Sequence, residues 1–220
     1  LERYIASGRH VEVQVLGDGQ GKVIHLGERD CSVQRRYQKL IEETPAPGLS
    51  AAFRNSLHAA AIRFAERLSY RGAGTVEFLV DRERNAFYFL EMNARIQVEH
   101  PVTEAVTGVD LIAEQIAIAD GQGLRLAQES IRQNGCAIEC RVNAEDPAND
   151  FRPSPGTVLE AQWPAGEGIR VDTHIASGSR VPPFSTDQPF PPLRTVADRT
   201  TFPGVMNSSS KQNRSGCWKY

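Results

Sequence analysis

Three things are scarce in this chain: an excess of charge of either sign, long apolar runs, and sulfur in metal-binding patterns. Of its 220 residues, 25 are Lys or Arg and 27 are Asp or Glu, a formal net charge of −2. That balance supplies no global basic field for nucleic acid. No apolar run approaches the roughly 20 residues of a membrane-spanning helix, so neither nucleic acid nor membrane is an expected partner. The chain opens Leu1-Glu2-Arg3-Tyr4, without Met and without a signal-peptide pattern. It reads as a start in mid-domain: a fragment or a processed chain. The four cysteines are Cys31, Cys136, Cys140 and Cys217. Their spacing fits no zinc template and no histidine pair accompanies them, so small buried thiols in a reduced intracellular chain are expected. What remains is ordinary composition, 40% hydrophobic and 24% charged, enough for one large domain or parts of two.

The most informative stretch is Asn85 to Glu104. It begins apolar, through Phe87-Tyr88-Phe89, and becomes densely polar. Counted in twos, Glu91, Asn93, Arg95, Gln97 and Glu99 share one register, and Ala94, Ile96 and Val98 the other. In an extended chain these point to opposite faces. The aromatic strand should be buried, and charges carried to the edge of a core need partners or a ligand. Upstream, Thr75-Val76-Glu77-Phe78-Leu79-Val80 reads as a strand with a carboxylate in its middle, and Arg82 to Asn85 as the turn between the two. Glu77 and Glu91 therefore fall on paired antiparallel strands. Two adjacent acids need a cation between them. With Asn93 beside Glu91, hard oxygen donors converge as magnesium prefers; a structural salt bridge explains the same spacing.

Elsewhere, His10 to Leu16 alternates as a half-buried strand, and Lys22 to Leu26 is its hairpin partner across a glycine turn. That Gly17-x-Gly19-x-Gly21 joins two strands and opens no helix, so it is not read as a phosphate loop. Glu28 to Lys39 carries four cations and shows no apolar stripe: either a solvated loop or a basic wall facing an anion. Glu42 to Gly48 breaks regular structure. Ser50 caps a helix whose stripe is Phe53, Leu57, Ala60, Ala61, Phe64 and Leu68. His100-Pro101 stops the extended run. Val109 to Asp120 reads as a helix. Cys136 to Asn143 reads as a strand, with Ile138, Cys140 and Val142 opposite Glu139, Arg141 and Asn143. A loop follows to Gly156, then short strands at Thr157 to Gln162 and Ile169 to Ile175. Ser185 to Tyr220 shows no helical or strand period and is expected to be poorly ordered.

Taken together, these segments resemble the biotin carboxylases of the ATP-grasp superfamily, the ATP-dependent part of acetyl-CoA, propionyl-CoA, methylcrotonyl-CoA and pyruvate carboxylases. The resemblance rests on Arg9-His10-Val11-Glu12-Val13-Gln14, Glu28-Arg29-Asp30-Cys31-Ser32, Gln34-Arg35-Arg36 with Gln38-Lys39, and Tyr70-Arg71-Gly72-Ala73-Gly74-Thr75. It continues through Glu91-Met92-Asn93 with Arg95-Ile96-Gln97-Val98-Glu99-His100-Pro101, and Glu139-Cys140-Arg141. It implies an α+β ATP-grasp fold over 1–135, the start of the biotin carboxylase C-terminal domain over 136–184, and an aberrant tail over 185–220. It implies a ligase that makes carboxyphosphate from ATP and bicarbonate and carboxylates carrier-bound biotin. Glu77, Glu91 and Asn93 match its magnesium or manganese ligands. Glu99 matches the base that deprotonates bicarbonate, and Lys39, Arg95, Gln97 and the Val98 N–H match its bicarbonate site. Arg141 matches the arginine that steadies the biotin enolate. Glu2, His10, Gln34 and Tyr37, with Glu77 and Glu91, match positions around ATP. Implied partners are a biotin carboxyl carrier protein or domain, a carboxyltransferase subunit and a second copy of the chain. The implied compartment is the cytoplasm, or a mitochondrion or plastid in a eukaryote.

The chain departs from the family in three places. Tyr37 stands where histidine is frequent. The amino-terminal domain and the glycine-rich lid that precede this segment in the family are not matched. After Phe184 the family pattern stops, which reads as a frameshift, a misjoined gene end or a degraded copy. Two other readings stay open, a non-catalytic remnant that only associates with carboxylase subunits and another ATP-grasp ligase, such as one making carbamoyl phosphate. Without a lid, closure that excludes water should fail. The chain incubated with ATP, magnesium, bicarbonate and free biotin is therefore expected to release no phosphate at an enzyme-like rate; bicarbonate-dependent release would overturn this.

Overall fold

The computed structural model describes residues 4–182 and the backbone of a further strand at 193–198. Its frame is an eight-stranded sheet. The strands are β1 (Gly8–Asp18), β2 (Val23–Arg35), β3 (Gln38–Thr44), β4 (Arg71–Asp81), β5 (Ala86–Asn93), β6 (Ala137–Val142), β7 (Ile169–Asp172) and β8 (Leu193–Asp198). Their order across the sheet is β7-β8-β6-β3-β2-β1-β4-β5, and every neighbouring pair is antiparallel. Among the described residues three α-helices flank it: α1 (Ala51–Arg67), α2 (His100–Thr107) and α3 (Leu111–Ala119). Antiparallel sheet with segregated helices is the α+β arrangement expected. Among the described residues, no helix is long and apolar enough to cross a membrane.

One face of the sheet is apolar because β1 and β4 alternate. Val11, Val13 and Val15 with Val76, Phe78 and Val80 form a core under Phe53, Leu57, Ala61 and Ala65 of α1. Ser50 caps that helix, its side chain accepting from the Phe53 N–H at 3.2 Å. The stripe ends one turn earlier than its period suggests, since Leu68 is exposed. The opposite face holds a second apolar cluster of Leu16, Ile24, Leu26, Ala73, Leu111 and Ile118 under α3. Next to it, α2 crosses β2, β3 and β6. Glu12, Gln14, Arg29, Thr75 and Glu77 also lie on this second face, and all are buried.

Bulges reset the faces of the strands. Val15 pairs with His25 but Val13 with Glu28, so β2 carries one extra residue there, at Gly27, whose φ is +90°. His25 and Glu28 consequently both face α1: His25 stacks on His58 at 4.0 Å and Glu28 accepts from Arg54 and His58, each at 2.6 Å. Arg29 is turned to the other face. Leu40 is extra between the pairs Gln34–Lys39 and Val33–Ile41, which puts Lys39 and Glu42 on one side of β3. Leu90 is extra between Phe78–Phe89 and Glu77–Glu91. Phe89 thus packs against Phe64 and Phe78 while Glu91, two residues on, joins Glu77 on the second face.

Several expectations change. Glu28 to Lys39 is no loop: it is most of β2, the hairpin and the start of β3, its alternation hidden by bulges. Glu42 to Thr44 continue β3. The polar row stays extended only to Asn93; Ala94 to Glu99 is irregular. Phe87 and Tyr88 are only half-buried and Phe89 is 49% exposed, because β5 is an edge strand. His100-Pro101 does stand where extended structure gives way, and it opens α2. Proline fits a first turn, whose N–H has no partner anyway. In β6 the polar register is the buried one: Glu139 is inside and Cys140 outside, since α2 covers that side. Cys31 is buried, Cys136 half-buried, and Cys217 lies outside the described residues. Within the stretch read as aperiodic, Leu193–Asp198 forms a strand between β6 and β7. Its Thr-Val centre suits a strand too short to show a period. The rest of 185–220 lies outside the described residues.

Gly27→Ala is expected to cost about 1–2 kcal/mol, because a side chain at positive φ is strained and its Cβ would meet the Gln133 amide. Urea denaturation of the two proteins measures it.

Candidate active site

Charges from six segments converge on the second face of the sheet. Lys39 Nζ lies 2.5 Å from Glu12 Oε2, 2.6 Å from Glu99 Oε1 and 3.1 Å from Glu77 Oε1. Arg29, with no exposed surface, donates from Nε to Glu12 Oε1 at 2.6 Å and from Nη1 to Gln14 at 2.7 Å and Thr103 at 3.0 Å. Its Nη2 reaches Thr75 at 3.3 Å and Gln97 Oε1 at 3.4 Å. The short reach from Asn93 to α2 folds Gln97 and Glu99 inward and leaves Arg95 exposed, donating to Asn93 Oδ1 at 3.3 Å. Arg141 Nη2 bridges Glu99 Oε2 at 2.9 Å and Glu42 Oε1 at 2.5 Å.

Glu77 is the meeting point of the donors. Its Oε1 accepts from Gln97 at 2.8 Å and Asn93 at 2.9 Å as well as from Lys39. Its Oε2 lies 2.5 Å from His10 Nε2. Gln34 donates to His10 Nδ1 at 2.9 Å, so Nε2 carries the ring hydrogen and donates to Glu77. Burial alone would raise the Glu77 carboxyl; the His10 bond, the Lys39 charge and the Gln97 bond outweigh it and bring it down to about 2. Glu12 is pushed up by burial and brought below the ordinary carboxylate range by Arg29 and Lys39. For Lys39, burial disfavours the ammonium, and the surrounding acids, Glu12 foremost, hold it above its ordinary range.

These groups open on one cleft of about 620 Å³. It is lined by His10, Tyr37, Lys39, Glu77, Glu91, Asn93, Arg95, Gln97, Val98, Glu99 and Arg141, with Gln38 and Asn143. Gln34 stands behind His10 and off the lining, and Glu2 lies outside the described residues. Tyr37 is 97% exposed at the tip of the β2–β3 hairpin. Glu77 and Glu91 are directly paired, as their spacing predicts. The Asn93 amide donates to both, at 2.9 and 3.0 Å, so the two carboxylates lie within reach of one small group. Carboxylate oxygens so placed suit a hard divalent cation, which would take the place of those donors. Glu12, Arg29 and Glu42 are central here and were not singled out in the sequence. The one signal was the acid on the polar side of β1; Arg29 and Glu42 are placed by bulges.

Known proteins resemble this chain over most of its length. The family described as carbamoyl-phosphate synthase L chain, ATP binding domain matches residues 1–127, and the biotin carboxylase C-terminal domain matches residues 139–187. The chain is 55% identical over 184 residues to a biotin carboxylase of Nostoc sp., covering 84% of this chain but 41% of that protein. A crystal structure of a Campylobacter jejuni biotin carboxylase–beta-gamma-ATP complex superposes with a TM-score of 0.83 at 49% identity, covering 90% of this chain and 43% of the other. The biotin carboxylase domain dimer of Hydrogenobacter thermophilus 2-oxoglutarate carboxylase, in complex with MgADP, ADP and bicarbonate, gives 0.83 at 47% identity, covering 90% and 42%.

Removing one member of the buried cluster leaves its partner charged and unpaired. Arg29→Ala is expected to destabilise by about 3–5 kcal/mol, read from urea denaturation. Glu77, ordinarily at 4.5 and held at about 2 in the fold, contributes stability that is present above about 4.5 and lost as pH falls through about 2. That contribution is on the order of 3 kcal/mol. Thermal melts from pH 7 to pH 2 should therefore fall less steeply for Glu77→Gln than for the wild type.

Proposed function

This chain belongs to the family of the carbamoyl-phosphate synthase L chain ATP-binding domain, on its biotin carboxylase side, and we propose that its cleft binds ATP and bicarbonate for the carboxylation of carrier-bound biotin. The observation that carries the reading is Glu99, buried at the floor of the cleft between Lys39 and Arg141. A carboxylate in that place is a base shielded from water and flanked by two cations.

Bicarbonate is held by Lys39, Arg95, Gln97 and the backbone N–H of Val98, donors suited to a small oxyanion. Glu99 takes its proton, within hydrogen-bond reach of the Lys39 ammonium, and the freed oxyanion attacks the γ-phosphorus of ATP, breaking the bond to the β-phosphate oxygen to give carboxyphosphate and ADP. Glu77 and Glu91, with Asn93, would hold a divalent cation, magnesium or manganese, which when bound would neutralise phosphate charge. His10, oriented by Gln34, and Tyr37 at the hairpin tip border the nucleotide. Carboxyphosphate then breaks down to carbon dioxide and phosphate; the phosphate takes the N1′ proton of biotin, and the N1′ so freed captures carbon dioxide. The Arg141 guanidinium stabilises the negative oxygen of the biotin ureido group, in a place where water is scarce and a fixed charge acts strongly. The partners that follow are a biotin carboxyl carrier protein or domain, a carboxyltransferase and a second copy of this chain. The proposed domain division is an ATP-grasp part over 1–135 and the start of a C-terminal part from 136.

Calorimetry with ADP tests the nucleotide site without requiring turnover. Affinity is expected only with magnesium present, reduced at least about tenfold in Glu77→Gln and Glu91→Gln, one charge-assisted contact being about 1.5–3 kcal/mol. Glu99→Gln should leave nucleotide affinity within about twofold. A wild-type chain without magnesium-dependent affinity would instead be a module that only associates with carboxylase subunits.

A further inference from the structure

Glu42 lies off the cleft lining and has no part in the scheme above, yet it is fully buried on the same face of β3 as Lys39. Its Oε1 is 2.5 Å from Arg141 Nη2, the same nitrogen that donates to Glu99 Oε2 at 2.9 Å. Directly across, on β6, its Cα partner is Glu139, also fully buried. One guanidinium nitrogen therefore sits between two carboxyl groups, only one of which reaches the cleft. Buried like charges that share one cation cannot all ionise freely. Burial foremost, with Glu99 adding to it and Arg141 opposing, places the Glu42 carboxyl at about 7. The charged or titratable groups around it are Arg141 and Glu139 on the same face of β6, Glu99 from the segment before α2, and Glu12 from β1, with Cys140 on the opposite face of β6.

We propose that Glu42 is a positioning residue for Arg141: it anchors the guanidinium from behind, so that Arg141 stays in place when Glu99 takes up a proton and loosens its hold. The inference rests on the reading of Glu99 as the base. Before proton uptake, Arg141 is held from both sides. Afterwards Glu99 is neutral, its repulsion of Glu42 is gone, and Glu42 is the carboxylate left to hold the arginine. The guanidinium then stays aimed at the cleft for the next step. Glu42 touches no reacting atom; it acts through Arg141.

The test is nuclear magnetic resonance on the full chain carrying ¹⁵N-arginine and ¹³C-glutamate. Arg141 should show separately resolved Nη protons, the mark of a guanidinium whose rotation is blocked. Glu42→Gln, which keeps an acceptor, should preserve them, and Glu42→Ala should merge them. The Glu42 carboxyl carbon should titrate near pH 7, and in Glu99→Gln its midpoint should fall by at least about one pH unit, as for any strongly coupled pair. A merely space-filling Glu42 would leave the Arg141 signals alike in all forms, or lose them equally in Gln and Ala, and either result overturns the proposal. So does a Glu42 midpoint that ignores Glu99→Gln, and this measurement decides the matter if Glu42→Ala does not fold. None of these readouts needs nucleotide. A failure of magnesium-dependent ADP binding would sink the functional reading and leave the Glu42–Arg141 result standing, and the reverse combination is equally distinguishable.

Discussion

Lys39 among Glu12, Glu77 and Glu99 is the contact on which the rest of the structure depends. Three carboxylates brought this far from water would repel one another and lose their hydration, a cost of several kcal/mol per charge. Lys39 and the fully buried Arg29 offset it. Because the acids come from β1, β4 and the segment before α2, and the cations from β2 and β3, the cluster forms only when those elements are side by side. It is a condition on the fold as much as a feature of the site. Four donors on Glu77 and five hydrogen bonds from Arg29 leave few alternative arrangements.

Strict alternation on β1 and β4 places Glu12 and Glu77 opposite the apolar face, but without bulges the charges needed from β2, β3 and β5 would fall out of phase with them. Bulges at Gly27, Leu40 and Leu90 each insert one residue and return the chain to the required face. Gly27 is suited to its place by a φ of +90°. The same device separates Phe89, packed toward α1, from Glu91, aimed at the cleft. The site is thus paid for in local irregularity while the apolar core under α1 keeps its regular pattern.

The parts of the fold legible beforehand were those with clean period: β1, α1, α3 and the β4–β5 hairpin that pairs Glu77 with Glu91. In the site, the residues recognised from the motif after Glu91 do line one cleft with His10, Lys39 and Arg141. Illegible were the positions whose burial comes from other segments. Arg29 sat in a run that looked like a solvated loop, and Glu42 in one that looked like a break. For β6 the alternation left open which register faces inward, and α2 decides it by covering the side of Glu139. Proline at 101 marked the end of extended structure but not the helix it opens, because a first turn and a stop share the same local chemistry.

The sequence by itself determined the apolar face of the sheet, the capped helix packed on it, the pairing of the two acids across a hairpin and the family to which the chain belongs. These depend on neighbours in sequence, on spacing of two or three to four residues, or on a motif read whole. Only the tertiary structure decided which charges are buried together, which face each bulged strand turns inward, and that Arg141 stands between Glu42 and Glu99. The physical reason is that the desolvation and compensation of a charge are set by groups tens of residues away along the chain.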